Sequence, residues 1–448
     1  MSEPIISVSG LRGIVGESLT PDLAIRYVCA FAATLPPGRA VVICRDGRGT
    51  GRMLAQAVAS GLEAVGRDTI DAGVAATPTA GVLVRTLLAG GGVQISASHN
   101  PPEYNGLKLF SAEGRVIPAA EGQQVLQRYR AGQISWVPHN QVGHAIACAD
   151  AHSAHLKLVL GTVDVDRIRH CKFRVLLDSN HGAGSMLGRR LLDELGCHTT
   201  ILGENPDGQY EHTPEPTQEN LAGVLSRVKE IGADIGFCQD PDADRLAVID
   251  ELGRYIGEEY TPALCVDHVL RTRRGPVVTN CSTSRMTEDL AAKYGVPFFR
   301  SAVGEANVVE AMQRNGAILG GEGNGGIIDP RVVFVRDSFV GMALLLDAMA
   351  TRGEQISRLA DELPRYEIVK TKISLPPEKI PAGLAALKKH FADAKSDTLD
   401  GLRLDWPGRW LLVRASNTEP IVRAIAEAPT AEDARRLCDD SAKVLAGV

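Results

Sequence analysis

The sequence predicts an α/β protein, with three similar α/β domains in succession and a smaller α+β domain after them. Three observations carry this. The chain has 448 residues, which at about 150 residues per domain is three domains, or four if some are small. Up to Pro364, short β-branched runs alternate with Ala- and Leu-rich stretches of helical length, the signature of βαβ units. Beyond Pro364 the order becomes strand, helix, two strands and helix.

In the first block the run Ala40 to Ile43 predicts a strand, 51–66 and 78–89 predict helices, and Val93 to Ile95 predicts a further strand. The second block opens with the strand Arg174-Val-Leu-Leu-Asp, followed by a helix near 184–196 and strands at Thr199 to Leu202 and Asp234 to Phe237. The third runs from Pro276-Val-Val-Thr-Asn through helices near 284–294 and 304–315 to Ala317-Ile-Leu-Gly. In the last block, strands at 367–373, 410–414 and 421–426 accompany helices near 379–393 and from Thr430. Polar joints at 148–156, at the 250–254 turn and at Leu363-Pro364 place the domains at 1–150, 151–252, 253–364 and 365–448.

Composition narrows the function. Hydrophobic residues make up 44% and charged residues 23%, enough to build several cores. With 48 Lys+Arg against 54 Asp+Glu the net charge is −6, so no global positive field favours nucleic acid, and aromatics at 4% offer few stacking platforms. The start carries neither a basic nor an apolar leader region and no run of 18 apolar residues occurs, so a cytoplasmic protein without a membrane partner is expected. Nine cysteines, an odd number without a C-x-x-C pair, read as reduced and mostly buried rather than as disulfides or a zinc site.

Ligands of open α/β sheets bind beyond the carboxyl ends of strands, and four segments there could carry chemistry. In Ser96-Ala-Ser-His-Asn-Pro101 a hydroxyl (Ser98), an imidazole (His99) and an amide leave a strand together, and Pro101-Pro102 stiffen the loop beyond them; the same residues are also ordinary turn formers. Asp240, Asp242 and Asp244 crowd one tight loop, a costly repulsion that a hard cation such as Mg²⁺ relieves. No glycine stands at the sixth position of this loop, so it is not an EF-hand. The glycine-rich Gly320-Gly-Glu322-Gly-Asn324-Gly-Gly326 lets backbone approach a ligand while Glu322 and Asn324 engage sugar hydroxyls, or it is simply a turn. Arg414-Ala-Ser416-Asn417-Thr418-Glu-Pro420, with Arg423 beyond it, offers a guanidinium, hydroxyls and loop N–H groups to a phosphate, and equally reads as a turn. A competing signal is Gly182-Ala-Gly184 with Gly188 ahead of a helix and Glu204 after the next strand, the elements of a dinucleotide site and hence of an NAD-dependent oxidoreductase.

Taken in order, the four loops resemble those of the α-D-phosphohexomutase superfamily, which includes phosphoglucomutase, phosphomannomutase and phosphoglucosamine mutase. Ser9-Gly-Leu-Arg12-Gly is similar to its N-terminal arginine motif, so the resemblance spans nearly the whole chain. It implies three similar mixed-sheet α/β domains and a smaller C-terminal α+β domain around a central cleft. It also implies that Ser98 is carried as phosphoserine and joins Asp240, Asp242 and Asp244 around Mg²⁺. Lys108 is then the general acid/base with His99 second, and Arg12 and Arg245 stabilise the transferring phosphoryl. Glu322 and Asn324 grip the sugar, while Arg414, Ser416, Asn417, Thr418 and Arg423 hold the other phosphate. The implied reaction interconverts a hexose 6-phosphate and a hexose 1-phosphate through a bisphosphate. Gly326 stands where many members place a histidine. The Glu-Gly-Asn-Gly-Gly loop and the Ser-Gly-Leu-Arg-Gly start favour the phosphoglucosamine mutase type, with phosphoglucomutase/phosphomannomutase as the alternative. A non-catalytic sugar-phosphate binding protein is the alternative of another class.

Overall fold

The computed structural model describes residues 5–7, 10–415 and 421–448. They form four sheets in chain order. In the first, Gly91–Ile95, Val41–Arg45, Thr69–Val74 and Ala145–Ala147 run parallel, and Tyr104–Ser111, Gly10–Ile14 and Ile5–Ser7 extend the sheet antiparallel. The period of two along a strand puts Val41 and Ile43 into one apolar cluster and Val42 and Cys44 into another, on the opposite face. This strand reads as a continuous apolar run because both faces are covered.

The next two sheets share a design. Arg174–Asp178 lies between His198–Leu202 and Ile235–Gln239, all parallel, and Leu246–Asp250 turns back antiparallel at the edge. Likewise Val277–Asn280 lies between Phe298–Ser301 and Leu319–Glu322, with Gly326–Ile328 antiparallel. Each reversal is one of the loops singled out in the sequence, 240–245 in one sheet and 323–325 in the other. The fourth sheet is wholly antiparallel and five-stranded.

The first three sheets are welded together and the fourth has its own core. The helix Ser338–Arg352 is buried continuously from Ser338 to Met349, and its side chains join one cluster with Val84, Leu191 and Val277 from the first, second and third blocks. Asp337 caps this helix through Phe339 N and Val340 N. Its other oxygen bonds His155 Nε2 at 2.7 Å, and His155 Nδ1 meets Thr79 Oγ1 at 2.9 Å. This buried Thr79–His155–Asp337 chain therefore ties three blocks together. The last block packs around Leu387, Leu404, Leu411 and Leu445. Among the described residues no helix is long and apolar enough to cross a membrane.

The dinucleotide signal is structural. A side chain at Gly184 would strike Gln239, one at Gly188 would strike Leu177, and one at Gly182 would lie 2.7 Å from the Pro241 carbonyl oxygen. These glycines let the helix Gly184–Glu194 press onto its sheet and onto the aspartate loop, which leaves no room for a pyrophosphate. Glu204, the expected ribose acid, is instead paired with Arg189 at 2.6 Å.

Candidate active site

The loop after Gly91–Ile95 presents Ser98 with φ of +50°, a left-handed conformation that costs a residue with a Cβ unless its surroundings hold it. The holder is Arg48. Its guanidinium donates to the carbonyls of Ser98 (2.7 Å), Asn100 (2.6 Å), Pro101 (2.6 Å) and Tyr104 (3.0 Å), and to Asp46 at 3.2 Å. Asp46 also accepts from Ser96 Oγ at 2.6 Å, and Ser96 Oγ in turn accepts from Ser98 N at 2.8 Å. Burial pushes the Asp46 carboxyl up to about 6, with Arg48 opposing. Sequence reading passed over Arg48, although Asp46-Gly-Arg48 follows the strand Val41–Arg45, at the kind of carboxyl end where ligands of such sheets bind.

Ser98 Oγ donates to Asp240 Oδ2 at 2.7 Å, so the serine loop of the first sheet and the acid loop of the second meet. Asp240, Asp242 and Asp244 are fully buried, and one carboxylate oxygen from each lies within 4.8 Å of the others. Ala243, with φ of +54°, makes the turn that brings them together. Burial first, then Asp242 and Asp244, pushes the Asp240 carboxyl well above the usual carboxylate range. Asp242 Oδ1 and Asp244 Oδ1 have no hydrogen-bond partner among the described residues. Two buried, orphaned carboxylate oxygens beside a third carboxylate fit a hard divalent cation, because an ion satisfies oxygens that no donor among the described residues reaches.

Cations already surround this cage. Lys108 Nζ lies 3.2 Å from Asp242 and 3.0 Å from Asp244. Burial would lower the Lys108 pKa, but Asp244 and Asp242 raise it above the usual lysine value. Arg336 donates to Asp244 and to Glu322, each at 2.6 Å, and so braces the aspartate loop against the sugar loop. Neither Arg336 nor Glu305, which accepts from Arg336 N at 3.0 Å, carries a local motif. Arg245 lies 3.4 Å from Glu215 and 3.9 Å from Asp244. Arg12 donates to Asn100 Oδ1 at 2.8 Å. His99 Nδ1 is 3.3 Å from Ser98 Oγ. Burial, then Arg245 and Arg12, lowers the His99 pKa to about 3, so the imidazole is neutral.

A cleft of about 790 Å³ collects Arg12, Ser98, His99, Lys108, Arg245, Glu322, Asn324, Arg414 and Arg423. That volume is typical of a small-molecule site. Glu322 is buried and engaged, accepting from Asn280 at 2.7 Å and from Gly304 N at 3.1 Å. Asn324 Oδ1 accepts from Gly326 N at 3.3 Å. Arg414 and Arg423 are direct cross-strand partners, and Arg414 pairs with Asp400 at 2.9 Å. Ser416, Asn417 and Thr418, expected to hold phosphate, lie outside the described residues.

Glu259, another residue absent from the sequence reading, lines the cleft and accepts from Ser284 N at 2.8 Å. Burial pushes its carboxyl up to about 8, from 4.5. A raised acid pKa means that the folded state holds the proton more tightly, so this contribution to stability falls as pH rises from 4.5 to about 8 and is constant above that. Glu259→Gln, which never titrates, is therefore expected to gain melting temperature relative to wild type between pH 5 and pH 8. Parallel melts across that window check the sign; a constant difference would place the titration elsewhere.

The comparisons with known proteins cover the whole fold. Family models described as "Phosphoglucomutase/phosphomannomutase" match as domain I at 5–134, domain II at 151–253, domain III at 258–366 and the C-terminal domain at 371–444. A phosphoglucomutase/phosphomannomutase of Thermococcus kodakarensis is 39% identical over 446 residues, covering 97% of each chain. A probable phosphoglucosamine mutase of Methanopyrus kandleri is 34% identical, covering 96% of this chain and 95% of its own. The crystal structure of a phosphoglucomutase/phosphomannomutase family protein from Burkholderia thailandensis superimposes with a TM-score of 0.85 at 28% identity, covering 98% of both chains.

Proposed function

Because the chain belongs to the phosphoglucomutase/phosphomannomutase family, we propose that it moves a phosphoryl group between the 6- and 1-positions of a hexose, with glucosamine phosphate preferred and glucose or mannose phosphate as the alternative. The observation that carries this reading is the meeting of Ser98 Oγ at 2.7 Å with Asp240, one of three clustered buried carboxylates. As a phosphoserine, Ser98 gives its phosphoryl to a sugar hydroxyl: the new P–O bond forms to the sugar oxygen as that oxygen loses its proton, the P–Oγ bond breaks, and Oγ leaves with a proton. Lys108, kept protonated by Asp244 and Asp242, donates the proton to Oγ and takes up the one the sugar hydroxyl loses, and the same exchange runs in reverse when the bisphosphate returns its other phosphoryl. The neutral His99 ring beside Ser98 Oγ is the second candidate.

Asp240, Asp242 and Asp244 would hold Mg²⁺, with phosphoserine 98 completing the set; when bound, the cation neutralises charge on the transferring phosphoryl. Arg245 and Arg12 add to that neutralisation from the cleft wall. Arg414 and Arg423, with the 416–418 loop, hold the phosphate that is not transferred, and Glu322 and Asn324 hold hydroxyls on the ring. The last block keeps a core of its own and meets the third block where Trp410, Leu412 and Ile425 pack on Cys281, so a shift of the block as a unit works at that seam, as a sugar that turns over within the cleft requires.

A parallel mutase assay on glucosamine, glucose and mannose 6-phosphates, with a bisphosphate activator and with or without a chelator, tests the reading. Turnover of at least one sugar, lost on chelation and regained with Mg²⁺, is the expected result. Binding of sugar phosphates without turnover would leave the non-catalytic alternative standing.

A further inference from the structure

The sugar loop lies against one carboxylate, and shares its cleft with a second, that the phosphoryl transfer leaves unused. Glu258 and Glu259 precede the helix Tyr260–Thr272 and line the same cleft as Glu322 and Asn324. The approach is close, since a side chain at Gly323 would run into the Glu259 carboxylate. The two acids differ in what they already bind. Glu259 accepts from Ser284 N, whereas Glu258 Oε1 is shielded from solvent and has no hydrogen-bond partner among the described residues.

The charged groups that face Glu258 are Arg245, Lys370, Glu215 and Arg336. Arg336 is committed to Asp244 and Glu322, and Arg245 sits with Glu215, Asp244 and Asp240. A shielded carboxylate oxygen without a donor is unfavourable, and a ligand that brings a donor relieves it.

Resting on the mutase reading, we propose that Glu258 reads the substituent on carbon 2 of the sugar and favours a 2-ammonium over a 2-hydroxyl. An ammonium brings a full positive charge and three donors, while a hydroxyl brings one neutral donor. With Glu322 and Asn324 on the hydroxyls of carbons 3 and 4, carbon 2 is the neighbour of carbon 3, so its substituent falls within the same cleft. The sugar takes two orientations during turnover, and selection in one of them is enough because every conversion passes through both.

The test compares kcat/KM for glucosamine 6-phosphate and glucose 6-phosphate in the wild type, Glu258→Gln and Glu258→Asp, with a thermal melt of each. The wild type is expected to favour glucosamine, the ratio to fall about tenfold or more in Glu258→Gln, the scale of one charge-assisted hydrogen bond, and to recover in part in Glu258→Asp. An unchanged ratio, or equal losses on both sugars, would give Glu258 a purely structural role and overturn the proposal. A wild type that converts both sugars but favours glucose also overturns it while leaving the mutase reading intact. A wild type that converts neither removes the mutase reading itself.

Discussion

Ser98→Ala should lose mutase turnover by about 10⁴-fold or more, because the substitution removes the atom that carries the phosphoryl and no neighbour can replace it. The nearest other hydroxyl in the loop, Ser96, is turned away: its oxygen donates to Asp46 and accepts from Ser98 N. The fold should survive. Ser98 Oγ gives up its hydrogen bond to Asp240 and a longer one to His99 Nδ1, and Arg48 holds the loop through backbone carbonyls that alanine keeps. Intact-mass analysis should find a phosphoryl adduct on the wild type and none on the variant. Wild-type rates in Ser98→Ala would refute the mechanism, whatever the mass spectrum shows.

Arg48→Ala should be the most damaging substitution away from the reacting atoms. It strands the buried Asp46 carboxylate and frees four carbonyls that fix the Ser98 loop. Removing one partner of a buried ion pair costs about 3–5 kcal/mol, and the left-handed Ser98 loses what holds it in place. A lower denaturation midpoint together with a fall in kcat is therefore expected. Arg48→Lys should restore charge against Asp46 but little activity, since an ammonium cannot reach four carbonyls in a planar fan. A variant that melts with the wild type and keeps its kcat would show that the loop is held by something else.

The legibility of the site depended on whether its chemistry was local. Asp240, Asp242 and Asp244 could be found because three like charges in five residues are costly in themselves, and Ser98 because a hydroxyl between a strand and a Pro-Pro pair has a restricted conformation. Arg48 and Arg336 could not. Arg48 owes its role to carbonyls 50 to 56 residues away, and Arg336 to bridging Asp244 and Glu322, 92 and 14 residues away. The glycines at 182, 184 and 188 show the reverse error: the spacing imitates a nucleotide fingerprint, and only the nearby Gln239, Pro241 and Leu177 reveal that they serve packing.

Periodicity and residue type in the chain alone determined the succession of four blocks and the loops that carry chemistry, because the alternation of side chains along strands and helices is written within a few residues. Which loops face one another was decided only when the helix Ser338–Arg352 buried its whole circumference among three blocks. That burial sets the distance from Ser98 to Asp240, and a contact between residues 142 positions apart depends on packing that no local pattern records.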